Sequence, residues 1–140
     1  SCRSPRRKTM PKNILIVDDE EDICDFLVQL VGKLGHRAEF ALSGEQALEQ
    51  IEKAKWDAAI VDLKLSTSIT GLDVIRAFHT KSPGALVAAM TGYVDVGLRQ
   101  EAERLGVSDY FKKPDDMLPD VFMDKFNRIL ARIERPKQGS

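Results

Sequence analysis

The stretch ILIVDDEED, residues 14–22, places four apolar residues directly before five acidic ones. The apolar run, 14–17, is short, continuous and rich in β-branched side chains, which is typical of a strand buried on both faces of a sheet. Charge beside such a strand requires compensation, because unpaired charges are unstable next to a hydrophobic core. This stretch therefore predicts both a sheet that buries the strand and groups elsewhere in the chain that balance its acidic end.

Apolar strands and amphipathic helices alternate along the chain. The predicted strands cover 14–17, 36–42, 58–61, 85–90 and 107–112. After each strand, apolar residues recur at helical spacing; they are Ile23, Leu27, Leu30, Val31 and Leu34, then Ala47, Leu48 and Ile51, then Leu72, Ile75 and Phe78, then Val94, Leu98, Ala102 and Leu105, and finally Val121, Phe122, Phe126, Ile129, Leu130 and Ile133. Alternation of this kind predicts an α/β fold, a doubly wound, five-stranded parallel sheet with five helices on its two faces.

Several residues mark where these helices begin and end. Gly35 and Gly106 follow the first and fourth predicted helices, and glycine commonly ends a helix. Ser43, with Gln46 three residues later, has the spacing of a capping box at the start of the second helix. Pro119 suits the first position of the fifth helix.

The composition is that of one ordinary globular domain, which we place at 12–135. Of 140 residues, 43% are hydrophobic and 31% are charged, and the net charge of -1 gives no basic field that would favour nucleic acid. Cys2 and Cys24 form neither a metal-binding nor a disulfide pattern, which favours a cytoplasmic location. No apolar run approaches the roughly 18 residues of a membrane span. We expect residues 1–11 to be a disordered tail or a remnant of cloning, and 136–140 to be a second tail.

Polar residues collect where the predicted strands end. Asp18 and Asp19 follow the first strand, Asp62 the third, Thr91 the fourth and Lys113 the fifth. In a doubly wound sheet, ligands bind outside these carboxyl ends. Because neighbouring strands lie about 4.8 Å apart, the three carboxylates would repel one another unless a cation joined them. A hard divalent ion meets that need, and Mg²⁺ suits a site with few protein ligands.

Together, these groups predict phosphoryl transfer to a carboxylate. An aspartate oxygen can act as a nucleophile and form an acyl phosphate. Asp62, the single acid at the end of the middle strand, is the predicted nucleophile, and Asp18 and Asp19 are the predicted metal ligands. The metal and Lys113 would neutralise charge on the transferring group. Residues 20–22 are assigned instead to the first turn of the next helix, where the helix dipole favours acids.

With these motifs, the chain resembles a response-regulator receiver domain, the phosphoacceptor module of two-component signalling. The resemblance rests on ILIVDDEED, AAIVDLKL, AAMTGY and DYFKKP, which occur in the family's order at successive strand ends. It extends over about residues 12–134. It implies a flavodoxin-like, five-stranded sheet in the order 2-1-3-4-5.

The resemblance also implies a role for each residue of the site. Asp62 resembles the family's phosphorylated aspartate, and Asp18 and Asp19 resemble its acidic pair for Mg²⁺. The family adds a main-chain carbonyl ligand two residues after the phosphorylated aspartate, which here is that of Lys64. Lys113 resembles the family's invariant lysine, and the proline that follows it is expected to lie after a cis peptide bond.

Two further residues resemble the side chains that move on phosphorylation in members of this family. Thr91 matches the switch hydroxyl that turns toward the phosphoryl group, and Tyr110 matches the aromatic side chain that swings inward. The implied output surface is formed by the fourth helix, the fifth strand and the fifth helix. The implied partners are a sensor histidine kinase or a histidine phosphotransfer protein, an output domain or downstream protein, and a second copy in a phosphorylation-dependent homodimer. Direct contact with nucleic acid or a membrane is not expected.

One loop departs from the family pattern. The family places proline four residues, and glycine eight residues, after the phosphorylated aspartate. Here Ser66 occupies the proline position and Gly71 lies nine residues after Asp62, so the loop KLSTSITG, 64–71, is one residue longer and polar. This departure keeps an alternative open, namely a receiver-like interaction domain that works without phosphorylation.

Two enzyme classes fit the sequence less well. A phosphatase of the haloacid dehalogenase type requires Asp-x-Asp after the first strand, whereas Glu20 stands two residues after Asp18. A dinucleotide-binding domain requires a glycine-rich turn there, and acids would repel its phosphates. Whether the chain counts as an enzyme stays open, since a receiver would catalyse only its own phosphorylation and dephosphorylation. It is either a stand-alone receiver or a part of a longer protein.

Overall fold

The computed structural model describes residues 10–92 and 96–134 and contains a five-stranded parallel sheet. The strands are β1 (Asn13–Val17), β2 (Arg37–Ala41), β3 (Ala58–Asp62), β4 (Leu86–Thr91) and β5 (Asp109–Lys112). The helices are α1 (Glu21–Lys33), α2 (Gly44–Lys53), α3 (Gly71–Lys81), α4 (Val96–Arg104) and α5 (Pro119–Glu134). The strand order is β2-β1-β3-β4-β5, which confirms the predicted fold.

Strand β1 is buried on both faces, as its continuous apolar sequence predicts. It pairs in parallel with β2 on one side and with β3 on the other. Ile14 and Ile16 belong to a hydrophobic cluster that also contains core residues of α1 and α5. Leu15 and Val17 belong to a second cluster with residues of α2, α3 and α4. Because side chains alternate along a strand, both clusters require apolar residues at successive positions.

The ends of the helices follow the predicted signals, with one difference. Gly35 (φ 91°) and Gly106 (φ 87°) adopt the left-handed conformation that favours glycine after a helix. At the start of α2, the hydroxyl of Ser43 accepts a hydrogen bond from the backbone N–H of Gln46 at 3.0 Å. The side-chain oxygen of Gln46 accepts from the N–H of Leu42, at 2.9 Å. The predicted capping box is therefore only half formed.

A complete capping box lies at the start of α3, where the sequence did not predict one. The hydroxyl of Thr70 accepts from the N–H of Asp73 at 3.2 Å, and the Asp73 carboxylate accepts from the N–H of Thr70 at 3.0 Å. The hydrogen bond from the Thr70 backbone lowers the pKa of Asp73. The pattern was missed because aspartate takes the place of the glutamate or glutamine usual at the fourth position.

The predicted apolar face of α5 is wrong at one residue. Val121 is 41% exposed, whereas Phe122, Phe126 and Ile129 are buried. The ring of Phe122 takes the core position because it packs between two other aromatic rings. Its centroid lies 4.7 Å from that of Phe111 on β5 and 5.5 Å from that of Phe126.

Three isolated ring side chains pack within the fold. His36 is buried, and its Nδ1 accepts a hydrogen bond from the N–H of Lys12 at 3.0 Å. Trp56 lies in the loop between α2 and β3, where it is buried, and its indole N–H donates to the carbonyl of Gln50 at 2.9 Å. His79 lies on α3, and its Nε2 is buried without a hydrogen-bond partner among the described residues.

Some predicted element boundaries differ from those in the structure, and some predictions concern residues outside the described ranges. Strand β5 begins at Asp109, two residues later than predicted, and a short 3-10 helix, Asp115–Met117, precedes α5. Val94, assigned to the fourth helix, lies outside the described residues, as do 1–9 and 135–140, which contain most of the two predicted tails. Over 10–92 and 96–134, no helix combines the length and apolar character needed to cross a membrane.

Candidate functional site

The carboxyl ends of β1, β3, β4 and β5 bring the predicted site residues to one edge of the sheet. Asp18 follows β1 directly, Asp62 ends β3, Thr91 ends β4 and Lys113 follows β5. Backbone hydrogen bonds extend beyond the strands and hold these ends side by side. The N–H of Asp18 donates to the carbonyl of Ala41 at 3.1 Å, and the N–H of Lys113 donates to the carbonyl of Thr91 at 2.9 Å.

The ammonium of Lys113 joins two of the carboxylates. Its Nζ donates to Oδ2 of Asp18 at 2.8 Å and to Oδ2 of Asp62 at 3.1 Å. Burial alone would lower the pKa of Lys113, but the hydrogen bonds and charges of the two aspartates outweigh burial and raise the pKa. Lys113 therefore stays protonated and offsets part of the negative charge at the strand ends.

Asp18 is the most deeply buried acid of the site. Its side chain is completely inaccessible, and its Oδ1 accepts from the N–H of Glu20 at 2.9 Å. Burial raises the pKa of Asp18, and the nearby charge of Asp62 acts in the same direction, while the hydrogen bond from Lys113 opposes it. Beneath it, the thiol of Cys24 donates to the carbonyl of Asp18 at 3.3 Å, and burial raises the pKa of that thiol to about 12. Cys24 is therefore a packed, protonated thiol.

Asp19 has a different environment at the rim of the site. Its Oδ2 accepts two hydrogen bonds from Ser66, from the hydroxyl at 2.6 Å and from the backbone N–H at 3.0 Å. These two bonds lower the pKa of Asp19, so the carboxylate is held in its ionised form. In the sequence, Ser66 stands out only because it replaces a proline, and no signal connects it to Asp19, 47 residues away.

Asp62 is buried but remains reachable. Its side chain is 8% exposed, whereas that of Asp18 is 0% exposed, so of the two carboxylates bound to Lys113 only Asp62 presents surface to an incoming group. Oδ1 of Asp62 accepts a hydrogen bond from the backbone N–H of Lys64 at 2.9 Å. The side chain of Lys64 is exposed.

The three carboxylates are close enough to share one cation. Asp18, Asp19 and Asp62 each offer an oxygen, and these oxygens lie within 4.8 Å of one another. Three carboxylates face a single ammonium, so negative charge is left over, and like charges at this spacing repel. Carboxylate oxygens are hard ligands of the kind that Mg²⁺ binds. The donor set therefore fits a divalent cation.

The two predicted switch residues donate their hydroxyls to backbone carbonyls. The hydroxyl of Thr91 donates to the carbonyl of Gly92 at 3.0 Å. The hydroxyl of Tyr110 donates to the carbonyl of Arg99 on α4 at 3.1 Å, and the Arg99 guanidinium lies 4.6 Å from the centre of the Tyr110 ring. Burial raises the pKa of Tyr110, so its hydroxyl remains a donor. The expected cis peptide bond is present between Lys113 and Pro114.

The long loop after β3 still places its glycine against the site. A Cβ atom on Gly71 would collide with the carbonyl oxygen of Asp62 and come within 2.9 Å of Cα of Leu63. The one-residue insertion is therefore accommodated within residues 64–70, and α3 begins directly beside the strand end that carries Asp62.

Comparison with known proteins gives a family match over most of the chain. Residues 14–121 match the profile of the family described as response regulator receiver domain. The chain is 33% identical over 123 residues to the transcriptional regulatory protein ZraR of Escherichia coli K12, covering 88% of this chain and 26% of ZraR. It is 31% identical over 121 residues to sporulation initiation phosphotransferase F of Bacillus subtilis, covering 86% and 95% of the two chains. The chain thus spans about a quarter of the length of the ZraR proteins.

Solved structures with the same fold are also similar. A CheY-like response regulator receiver domain protein from Methanospirillum hungatei JF-1 superposes with a TM-score of 0.82 at 28% identity, covering 89% of this chain and 98% of that one. NtrX from Brucella abortus superposes with a TM-score of 0.81 at 25% identity, covering 89% and 28%. The shared region of each pair is the five-stranded domain described above.

Proposed function

This chain belongs to the response regulator receiver domain family, and on that premise we propose that it is a phosphoacceptor switch of a two-component signalling system. The observation that carries the proposal is the Lys113 ammonium held between Asp18 and Asp62, with the Asp19 carboxylate beside them. The donor would be a phosphohistidine, on a sensor histidine kinase or on a histidine phosphotransfer protein. The expected setting is the cytoplasm.

The proposed nucleophile is Asp62. Its carboxylate attacks the phosphorus atom, the P–N bond to the donor imidazole breaks with its electron pair going to nitrogen, and an acyl phosphate forms. Exposure supports this choice, since Asp18 is fully inaccessible while Asp62 is not. The N–H of Lys64, 2.9 Å from Oδ1, holds the carboxylate of Asp62 in a fixed orientation.

Lys113 balances charge at the same place. Its ammonium lies 3.1 Å from Asp62, where an incoming phosphoryl group would bring further negative charge. A cation held in position before the reaction stabilises that charge without reorganising. Asp18, Asp19, Asp62 and the main-chain carbonyl of Lys64 are the proposed ligands of Mg²⁺. When bound, Mg²⁺ would supply positive charge to the oxygens of the transferring group.

In the proposed switch, the effect of phosphorylation at Asp62 is transmitted through Thr91 and Tyr110 to the surface formed by α4, β5 and α5. The Tyr110 hydroxyl bonds to the backbone of α4, so a change in its position would alter how α4 lies against β5. Phosphorylation would shift an equilibrium between two arrangements of this surface, to which an output domain, a downstream protein or a second copy would bind.

Acetyl phosphate with Mg²⁺ provides a direct test of the nucleophile. We expect one added phosphoryl group by intact-mass measurement on the wild-type protein, and none on Asp62→Asn. Asp120→Asn, which changes an exposed aspartate at the start of α5, is the matched control and should be modified like the wild type. Stable modification of Asp62→Asn would show that another residue is the nucleophile.

The altered loop supports a second candidate, a receiver-like interaction domain that does not use phosphate. The distinguishing observation would be the absence of Mg²⁺-dependent binding of beryllofluoride, a phosphoryl mimic. The acidic cluster with Lys113 favours the first candidate, because an interaction domain has no need for mutually repelling carboxylates at its strand ends.

A further inference from the structure

Ser66 makes an unusual pair of contacts with the acidic cluster. Both its backbone N–H and its hydroxyl donate to the same oxygen, Oδ2 of Asp19, at 3.0 and 2.6 Å. The other two carboxylates of the cluster are bound by Lys113, a charged partner. Asp18 and Asp62 each also accept a backbone N–H, so Asp19 is the member of the three whose side-chain hydrogen bonds come from neutral donors alone.

The loop that carries Ser66 is itself held in place. The hydroxyl of Thr67 accepts from the N–H of Gly44 at 3.2 Å and donates to the carbonyl of Ile69 at 2.7 Å. Gly44 has no room for a side chain, because a Cβ there would collide with Ile69, and Gly71 is packed equally tightly on Asp62. Contacts on both sides of the loop therefore fix where Ser66 lies.

We propose that Ser66 is a positioning residue that holds the Asp19 carboxylate ready for a divalent cation and thereby sets the cation affinity of the site. This inference rests on the proposed function, because it assumes that the cluster of Asp18, Asp19 and Asp62 binds Mg²⁺. The serine at position 66, where the family usually has proline, would then raise the affinity of the site for Mg²⁺.

The physical reason is that Ser66 orients Asp19 without neutralising it. A free carboxylate at the rim samples several rotamers, and ordering it on binding costs conformational entropy. Two hydrogen bonds to one oxygen restrict that motion in advance and leave Oδ1 with its charge for the cation. Loss of partners that orient a metal ligand typically weakens binding by about 10- to 100-fold.

The test measures Mg²⁺ affinity directly, by following backbone amide shifts of the whole chain during a Mg²⁺ titration. Ser66→Ala removes the hydroxyl bond but keeps the N–H bond, so we expect a dissociation constant about 10-fold higher, at the lower end of the usual effect. Ser66→Thr keeps a hydroxyl at the same position and should restore most of the affinity.

Ser68→Ala is the matched control within the same loop. The Ser68 hydroxyl bonds to Glu45 at 3.2 Å and not to the cluster, so the affinity should stay within twofold of the wild type. In an Asp19→Asn background, Ser66→Ala should no longer weaken binding, because Ser66 acts through Asp19. Unchanged or tighter binding by Ser66→Ala, or an equal loss in Ser68→Ala, would overturn the proposal.

Protection of the Ser66 amide from hydrogen exchange gives a readout without metal. Asp19→Ala should reduce that protection, since the N–H of Ser66 loses its acceptor, while the amide of Thr70, bonded to Asp73, should be unaffected. A wild-type protein that binds Mg²⁺ but is not phosphorylated would defeat the proposed function and still leave the Ser66 experiment decisive.

Discussion

Two ion pairs of equal length lie in very different parts of this molecule. Lys113 and Asp18 are joined at 2.8 Å at the carboxyl edge of the sheet, with side-chain exposures of 21% and 0%. Lys81 and Glu52 are also joined at 2.8 Å, on the outer surface of α3 and α2, with exposures of 50% and 61%. Water screens the second pair but hardly reaches the first. Burial, and not distance, therefore decides what each pair contributes to stability.

The largest expected effect is at the buried pair. Lys113→Met would leave Asp18 and Asp62 without their cation, and breaking a buried pair in this way typically costs several kcal/mol. We expect a loss of about 3 kcal/mol in the free energy of unfolding, near the lower end of the usual range because Lys113 is partly exposed. Urea unfolding at neutral pH measures this loss in the free energy of unfolding.

Lys81→Met is the matched control for that substitution. An exposed pair contributes about 0.5 kcal/mol or less, so the unfolding midpoint should hardly change. Equal losses in the free energy of unfolding of the two variants would show that burial has no bearing on the strength of the pair.

The second effect concerns packing beside the buried edge. Gly71→Ala would push a methyl group into the carbonyl of Asp62, and the backbone there cannot yield as a side-chain end could. Overpacking of this kind costs about 1–3 kcal/mol. Gly32→Ala is the contrasting variant. Gly32 lies in α1, and a Cβ there would meet no atom within 4 Å, so alanine should raise helix stability by up to about 1 kcal/mol. The midpoint temperature of thermal unfolding should fall in Gly71→Ala and rise in Gly32→Ala.

The third effect lies at the exposed end of the loop. Thr70→Ala removes the hydroxyl that caps α3, and we expect a loss of about 1 kcal/mol in the free energy of unfolding. Thr80→Ala, at an exposed position in the last turn of the same helix, should change stability by less than about 0.5 kcal/mol. A loss as large in Thr80→Ala would mean that the helix responds to any lost threonine and that the cap has no special role.

The smallest effect is the pH dependence of the same cap. The folded-state pKa of Asp73 is lowered below 3.8 by the N–H of Thr70, so its ionised form stabilises the folded protein above that pH. Asp73→Asn should therefore be a few tenths of a kcal/mol less stable than the wild type at pH 6. The difference should shrink as the pH falls below 3.8 through the lowered pKa. Urea unfolding at pH 6 and pH 3 measures this difference between the variant and the wild type. A difference that grows in acid would contradict the stabilising role of ionised Asp73.

The site residues at the strand ends could be predicted without any knowledge of side-chain geometry. In a parallel sheet, residues that close neighbouring strands must lie at one edge, so the positions of Asp18, Asp62 and Lys113 in the sequence were enough to predict their proximity. The sequence predicted that Lys113 helps to balance the negative charge at this edge. The structure adds that its ammonium bonds directly to both Asp18 and Asp62.

Contacts made by loops could not be predicted in the same way. Ser66 meets Asp19 because the path of an eight-residue loop, 64–71, brings it back over the end of β1. A loop has no hydrophobic periodicity from which to infer its path. The prediction for Val121 was wrong for a related reason, because the packing of Phe122 against two other rings places Phe122 in the core.

The sequence by itself determined the order of strands and helices, the burial of β1 on both faces and the gathering of acids and a lysine at one edge. These follow from local periodicity and from the geometry of any parallel sheet, which act whatever the neighbouring side chains are. Only the tertiary structure decided which acid is sealed from water and which is reachable, where the Tyr110 hydroxyl bonds, and that Ser66 holds Asp19. Those outcomes depend on how segments far apart in the chain pack together, and no local pattern records that packing.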